Sequence, residues 1–337
     1  MIISMERGAP REQIEAVIGR IHELGYESHP IYGAERTVIG VVGRLHRPEK
    51  ELFEGLAGVE TVVYISKPFK LSSLEFHPVP TVVDVDGVKI GGPEIVLIAG
   101  PCSVESEEQI VTIAKAVRSA GAKILRGGAY KPRTSPFAFQ GLKRDGLEML
   151  RTAKRETGLK IVTEVLSVTD LDLVVEYADM IQLGARNCQN FSLLEAVGKT
   201  RKPVLYKRGM ATTIHEWLQA ADYLLDGGNT QVVLCERGIR TFETATRNTL
   251  DINAVPVVKE LSHLPILVDP SHGTGHNHLV TAVARAGIAA GADGLAIEVH
   301  HQPDKAWSDG HQSLRPGQFE ECVAEVRKIA AAMGRAL

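Results

Sequence analysis

From residue 95 onward, the chain alternates short β-branched runs with stretches whose apolar residues recur every three or four positions. The runs are 95–99, 122–125, 160–163, 180–183, 203–206, 231–234, 265–268 and 294–297. Helical spacing is clearest over 107–120, 142–156, 215–225 and 278–290. Strands that are apolar throughout and joined by helices read as a parallel sheet covered on both faces. Eight such units over about 240 residues predict a closed (β/α)8 barrel. The rival, an open doubly wound sheet, is expected to carry a glycine-rich phosphate loop after its first strand. Gly100-Pro-Cys-Ser is not one.

Residues 1–67 follow a different rhythm. The order is a strand at 1–5, a helix at 11–24 closed by Gly25, strands at 26–32 and 37–42 around Gly33, a helix at 49–56 and a strand at 60–65. This β-α-β-β-α-β order is that of a ferredoxin-like α+β domain. Pro68, Pro78 and Pro80 with Ser72 and Ser73 mark 67–80 as a linker. The alternation over 81–90 about Asp86-Gly87 predicts a β-hairpin. The expected organisation is a small domain over 1–67, a linker and hairpin over 68–94, and a barrel over 95–337.

Composition narrows the class. In 337 residues, 38 Lys and Arg against 41 Asp and Glu give a net charge of −3, which offers no basic footprint for nucleic acid. With 44% hydrophobic residues the chain has ample material for a core. No run reaches the roughly 18 apolar residues of a membrane span. The opening Met-Ile-Ile-Ser-Met-Glu-Arg has no basic region followed by a long apolar run, so no signal peptide is expected. The 4 cysteines are widely spaced, as in a reduced cytoplasmic protein.

In barrels of this kind, the chemistry sits at the C-terminal ends of the strands. Every run ends on a charged or metal-competent residue or leads directly into one. Arg126, Lys131, Arg133, Arg186, Lys207 and Arg237 form a cationic set, suited to phosphates and carboxylates. Cys102, His272, Glu298 and Asp309 form a second set that could hold Mn²⁺, Fe²⁺, Co²⁺ or Zn²⁺. His300 and His301 flank that set, and either is an alternative to Asp309. Glu164 closes the third strand.

Gly100-Pro-Cys-Ser, Lys131-Pro-Arg-Thr, Gly184-Ala-Arg, Lys207-Arg-Gly, Cys235-Glu-Arg-Gly, Asp269-Pro-Ser-His and Ile297-Glu-Val-His occur in this order. The set resembles the 3-deoxy-D-arabino-heptulosonate 7-phosphate (DAHP) synthases, in the compact subgroup related to 3-deoxy-D-manno-octulosonate 8-phosphate synthase. Lys-Pro-Arg-Thr is the most specific element, because the octulosonate enzymes typically carry a Lys-Ala-Asn-Arg-Ser-type run there. The resemblance implies aldol-type condensation of phosphoenolpyruvate with erythrose 4-phosphate, the first step of the shikimate pathway. It implies that Arg186 and Arg237 hold the phosphate of phosphoenolpyruvate, and that Arg126, Lys131 and Lys207 engage its phosphate and carboxylate. Arg133 and Thr134 would hold the aldose phosphate, and a divalent metal would sit on Cys102, His272, Glu298 and Asp309. Lys131 and His272 are the candidate proton carriers, and Glu164 would orient a neighbouring cation or a water.

For the front domain, the resemblance implies feedback inhibition by Tyr or Phe, with His29 as a candidate contact, in a homotetramer. The weighed alternatives are the octulosonate synthase, a catalytically silent phosphate-binding barrel and a zinc-dependent aldolase of ketose bisphosphates, which would be expected to use a His-rich site.

Overall fold

The computed structural model describes residues 1–33, 36–43, 49–64, 67–133 and 135–337. They form two compact units, residues 1–79 and 80–337.

In the first unit, β1 (Ile2–Met5), α1 (Arg11–Glu23), β2 (Glu27–Tyr32), β3 (Thr37–Val42) and β4 (Val59–Val63) follow in chain order. The strands form one antiparallel sheet in the order β2-β3-β1-β4, the arrangement of a ferredoxin-like domain. α1 buries Ile14, Val17 and Ile21, spaced three and four apart, and these pack with Ile3, Met5, Ile39 and Val41 of the sheet. The helix expected at 49–56 is only a single 3-10 turn, Lys50–Leu52. Of its apolar residues Phe53 alone is fully buried, and Gly55 and Gly58 oppose helix extension. The segment with linker composition carries buried side chains, among them Phe69, Leu71 and Phe76. Phe76 lies so close to Gly40 of β3 that a Cβ there would come within 1.6 Å of its ring, so only glycine fits. The last expected strand ends at Val63, and its expected terminus Ile65 lies outside the described residues.

The second unit opens with a hairpin of β5 (Val83–Val85) and β6 (Val88–Ile90), whose turn is fixed by Gly87 N donating to Asp84 Oδ1 at 2.6 Å. Eight parallel strands follow: β7 (Val96–Gly100), β8 (Ile124–Arg126), β9 (Lys160–Val165), β10 (Met180–Leu183), β11 (Val204–Lys207), β12 (Val232–Glu236), β13 (Ile266–Val268) and β14 (Gly294–Glu298). Each pairs with the next, and β14 pairs with β7 to close the barrel, as the alternation predicts. Val83, Val85 and Ile90 of the hairpin share one core with Val96, Ile124 and Met180, each the first residue of its strand. The hairpin therefore plugs the N-terminal end of the barrel, and the chemistry is left to the opposite end.

The surrounding helices are α2 (Glu107–Ala120), α3 (Arg144–Thr157), α4 (Leu171–Tyr177), α5 (Phe191–Gly198), α6 (Ile214–Asp226), α7 (Ala254–Leu261), the one-turn α8 (Pro270–Thr274), α9 (Asn277–Ala289) and α10 (Pro316–Ala332). Their starts follow local chemistry. Ser106 caps α2 through Gln109 N, and Thr213 with Glu216 forms a capping box on α6. No helix among the described residues is long and apolar enough to cross a membrane.

Candidate active site

At the C-terminal end of the barrel a cavity is lined by Lys131, Arg133, Arg186, Lys207 and Arg237. Five of the six cations named from sequence thus face one space. The sixth, Arg126, does not line it: its side chain is buried, with Nη2 2.9 Å from Glu298 Oε1. Arg126 Nε and Nη1 are buried without hydrogen-bond partners. Thr134 lies outside the described residues. Arg247 also lines the cavity and was not singled out by sequence. It lies in the long connection after β12, away from any strand end, so strand-end reading has no means of finding it.

Carboxylates hold this charge in place. Asp269, fully buried, accepts from Lys207 Nζ at 2.5 Å and lies 2.7 Å from His272 Nδ1. It also caps α8 by accepting from His272 N at 2.9 Å. Burial would raise the Asp269 carboxyl, but His272 and Lys207 outweigh it and hold it well below the usual range. Burial takes His272 down to about 4 against the pull of Asp269 and Glu298, so the ring is neutral near pH 7. With Asp269 accepting at Nδ1, the proton sits there and Nε2 presents its lone pair, 3.5 Å from Glu298 Oε1.

Glu164 is buried at the cavity wall and accepts from Gln182 Nε2 at 3.2 Å. Burial raises its carboxyl, opposed first by Lys131 and Lys207. Its place depends on Gly184, where a Cβ would stand 1.9 Å from Glu164 Oε1. By contrast, Arg208, in the Lys-Arg-Gly run, pairs with Glu236 at 2.8 Å and Asp251 at 2.9 Å. It is a structural cation.

Donor atoms of Cys102, Glu298 and Asp309 all lie within 4.8 Å of one another. His272 borders this trio through Glu298 but falls outside that mutual distance. Cys102 Sγ contacts Lys131 Nζ at 3.0 Å, Ser308 Oγ at 3.2 Å and Asp309 Oδ2 at 3.3 Å. Burial pushes its thiol up to about 11. Burial also works against the Asp309 carboxylate, yet Arg247 and His272 bring it to about 2. Gln312, fully buried, donates to Glu298 Oε2 at 2.7 Å, while Glu298 Oε1 has no hydrogen bond of good geometry. A buried carboxylate oxygen that meets Arg126 Nη2 at 2.9 Å without a hydrogen bond of good geometry, beside a thiol, a second carboxylate and an imidazole lone pair, gives a donor set that fits a borderline divalent cation. His300 sits against Glu105 instead of in this cluster, at 3.4 Å, and stacks on His301.

In the first unit, His29 is half-buried on β2, its ring edge-on to Phe76 at 6.3 Å.

Cations converging on the mouth of a plugged barrel, beside a cluster of sulfur, carboxylate and imidazole donors, define an enzyme for anionic, phosphorylated substrates. The chain belongs to the DAHP synthetase I family, whose model matches residues 74–333, and residues 1–67 match the DAHP synthase ferredoxin-like domain. It is 52% identical to the phospho-2-dehydro-3-deoxyheptonate aldolase of Thermotoga maritima, over 99% of each chain. The crystal structure of that Thermotoga maritima protein superposes with a TM-score of 0.80 at 52% identity, over 99% of this chain and 98% of that one. The 2-dehydro-3-deoxyphosphooctonate aldolase of Syntrophotalea carbinolica is more distant, at 31% identity over 75% of this chain and 97% of its own. Membership makes the protein an aldolase-type transferase of aromatic biosynthesis, at the first step of the shikimate pathway. The family is generally metal-dependent.

Proposed function

We propose that the protein condenses phosphoenolpyruvate with D-erythrose 4-phosphate at this cavity to give DAHP and phosphate. The observation that carries this is the opening of five cations onto one space beside the Cys102, Glu298 and Asp309 cluster. In this reading, Arg186 and Arg237 take the phosphate of phosphoenolpyruvate, while Lys207 and Lys131 engage its carboxylate and phosphate. Arg126, paired with Glu298 and with two further buried N–H groups open, would engage the same ligand. Arg133 and Thr134 take the aldose phosphate. Holding both reactants in register brings C3 of the enol against the aldehyde carbon, which supports much of the acceleration. Water then adds at C2, and phosphate leaves from the tetrahedral carbon.

Cys102, His272, Glu298 and Asp309 would hold a divalent cation, Mn²⁺, Fe²⁺, Co²⁺ or Zn²⁺, which supplies Lewis-acid polarisation of the aldehyde. Lys131 is a charged donor in contact with that cluster, and neutral His272 is better suited to donating a lone pair than a proton. Glu164 orients a cation or a water at the cavity wall.

Protein with both substrates and Mn²⁺ should release phosphate and form a seven-carbon keto acid. Exhaustive chelation should stop it, and arabinose 5-phosphate should be a poor substitute. Turnover unaffected by verified metal removal would eliminate the metal role. Feedback inhibition by Tyr or Phe through residues 1–67, in a homotetramer, belongs to the same reading. Inhibition that survives deletion of those residues would count against it.

A further inference from the structure

We propose that Glu105 is a positioning residue that sets the spacing of the metal ligands by tying together the three chain segments that carry Cys102, Glu298 and Asp309. Its side chain touches none of the cluster atoms, and strand-end reading does not find it. Glu105 lies three residues after Cys102, on the loop leaving β7. Its Oε1 accepts from Ser103 Oγ at 3.1 Å, which orients the carboxylate against its own loop. The same oxygen accepts from Trp307 N at 2.8 Å, across 202 residues of sequence and two positions before Asp309. Its Oε2 faces His300 Nε2 at 3.4 Å, two positions after Glu298. Because Gln302 N donates to His300 Nδ1 at 3.0 Å, the ring proton belongs on Nε2, facing Glu105. One carboxylate thus accepts hydrogen bonds from its own loop and from the Asp309 segment, and lies against the Glu298 segment at His300, whose Nε2 has no hydrogen bond of good geometry.

Restraint is needed most at Asp309. That residue sits in the left-handed region at φ +51, in an irregular stretch between two 3-10 turns, Pro303–Lys305 and Gly310–Gln312. Neither strand nor α-helix fixes its backbone. A carboxylate anchored beside Cys102 is well suited to do so, because Trp307 N is only two residues from Asp309. The side chains of Glu105 and His300 are mostly buried, at 9% and 4% exposure, so water competes little for these contacts. Groups behind metal ligands typically contribute roughly 10–100-fold to metal affinity.

This inference rests on the proposed metal role, so the experiment separates the two. Mn²⁺ alone is titrated into full-length metal-free wild type, Glu105→Gln, Glu105→Ala, Ser103→Ala and Cys102→Ala, with free ion read by electron paramagnetic resonance. Glu105→Ala should bind Mn²⁺ about 10–100-fold more weakly, and Glu105→Gln less severely, since its amide oxygen still accepts from Trp307 N. Ser103→Ala should show the smallest loss. Turnover of Glu105→Gln at limiting Mn²⁺ should fall and then recover at saturating Mn²⁺, with the metal-free melting temperature unchanged. If Cys102→Ala loses binding while both Glu105 variants stay within twofold of wild type, this proposal fails and the metal role stands. If wild type and Cys102→Ala bind alike, the ligand assignment fails and takes this proposal with it. If Glu105→Ala does not fold, Glu105→Gln decides alone by the same twofold criterion.

Discussion

Asp269 serves two side chains at once, and that makes it a sensitive single position in the site. Asp269→Asn removes the charge facing Lys207 and leaves a buried ammonium without its counter-ion, a change that typically costs about 3–5 kcal/mol. It also releases the constraint that keeps the His272 proton on Nδ1. The expected result is a markedly lower melting temperature together with weaker Mn²⁺ binding, whereas Lys207→Met should lower stability less and mainly raise KM for phosphoenolpyruvate. Comparing the two variants by calorimetry and steady-state kinetics checks both claims. Gly184→Ala tests the opposite case, a residue with no chemistry of its own. Its Cβ would meet Glu164 Oε1 at 1.9 Å, so the carboxylate must swing away and kcat/KM should fall at least tenfold while secondary structure by circular dichroism is kept. The residues legible in the sequence were those standing at strand ends, such as Lys207 and Glu298. Asp269, although seen in its motif, was not assigned a role, because its importance lies in a pair of contacts that spacing does not encode. Gln312 and Arg247 escaped because they reach the cluster from connections with no regular period.

At the scale of elements, the alternation of apolar runs located all eight barrel strands to within a few residues, because each is buried on both faces and bounded by polar connections. The second helix of the small domain was misread where Leu52, Phe53 and Leu56 mimic helical spacing but only Phe53 is fully buried. The segment 67–80 was misread for a different reason. Proline and serine suggested exposure, yet Phe69 and Phe76 are buried, and the partner of Phe76 is a glycine that no hydrophobic count can reveal. Gly40→Ala should therefore destabilise residues 1–79 by about 1–3 kcal/mol, the usual range for overpacking, although alanine suits a strand no worse than glycine. Hydrogen exchange at the amides of β1 and β3 measures this directly. An unchanged exchange pattern would mean that the ring moves aside freely. A second brace lies in the long β8–α3 connection, where Arg133 Nε donates to Phe139 O at 2.8 Å and the Phe139 ring meets Trp307 edge-on at 4.9 Å. Phe139→Ala should loosen Arg133 and raise KM for erythrose 4-phosphate several-fold, leaving that for phosphoenolpyruvate nearly constant.

For the whole chain, the useful asymmetry is that both of its 2 tryptophans, Trp217 and Trp307, belong to residues 80–337. Trp217 is fully buried on α6, whereas Trp307 is 56% exposed, two residues from Asp309. Intrinsic tryptophan fluorescence therefore reports on the unit that carries the candidate metal ligands and contains no direct probe of residues 1–79. An ion bound only by the folded state at a hundred times its Kd contributes about 2.7 kcal/mol. For a unit of this size that corresponds to a rise of roughly 5 °C or more in the fluorescence-detected transition. Mn²⁺ should produce this rise, chelator should reverse it, and Cys102→Ala should abolish it. The emission of Trp307 should also change on binding, because ordering of Asp309 alters the surroundings of an indole only two positions away, while Trp217, packed inside the barrel wall, should stay constant. A Trp307→Phe variant separates the two signals: it should keep the thermal shift and lose the spectral one. Mn²⁺ that raised the transition equally in wild type and Cys102→Ala would instead locate the ion elsewhere on the protein.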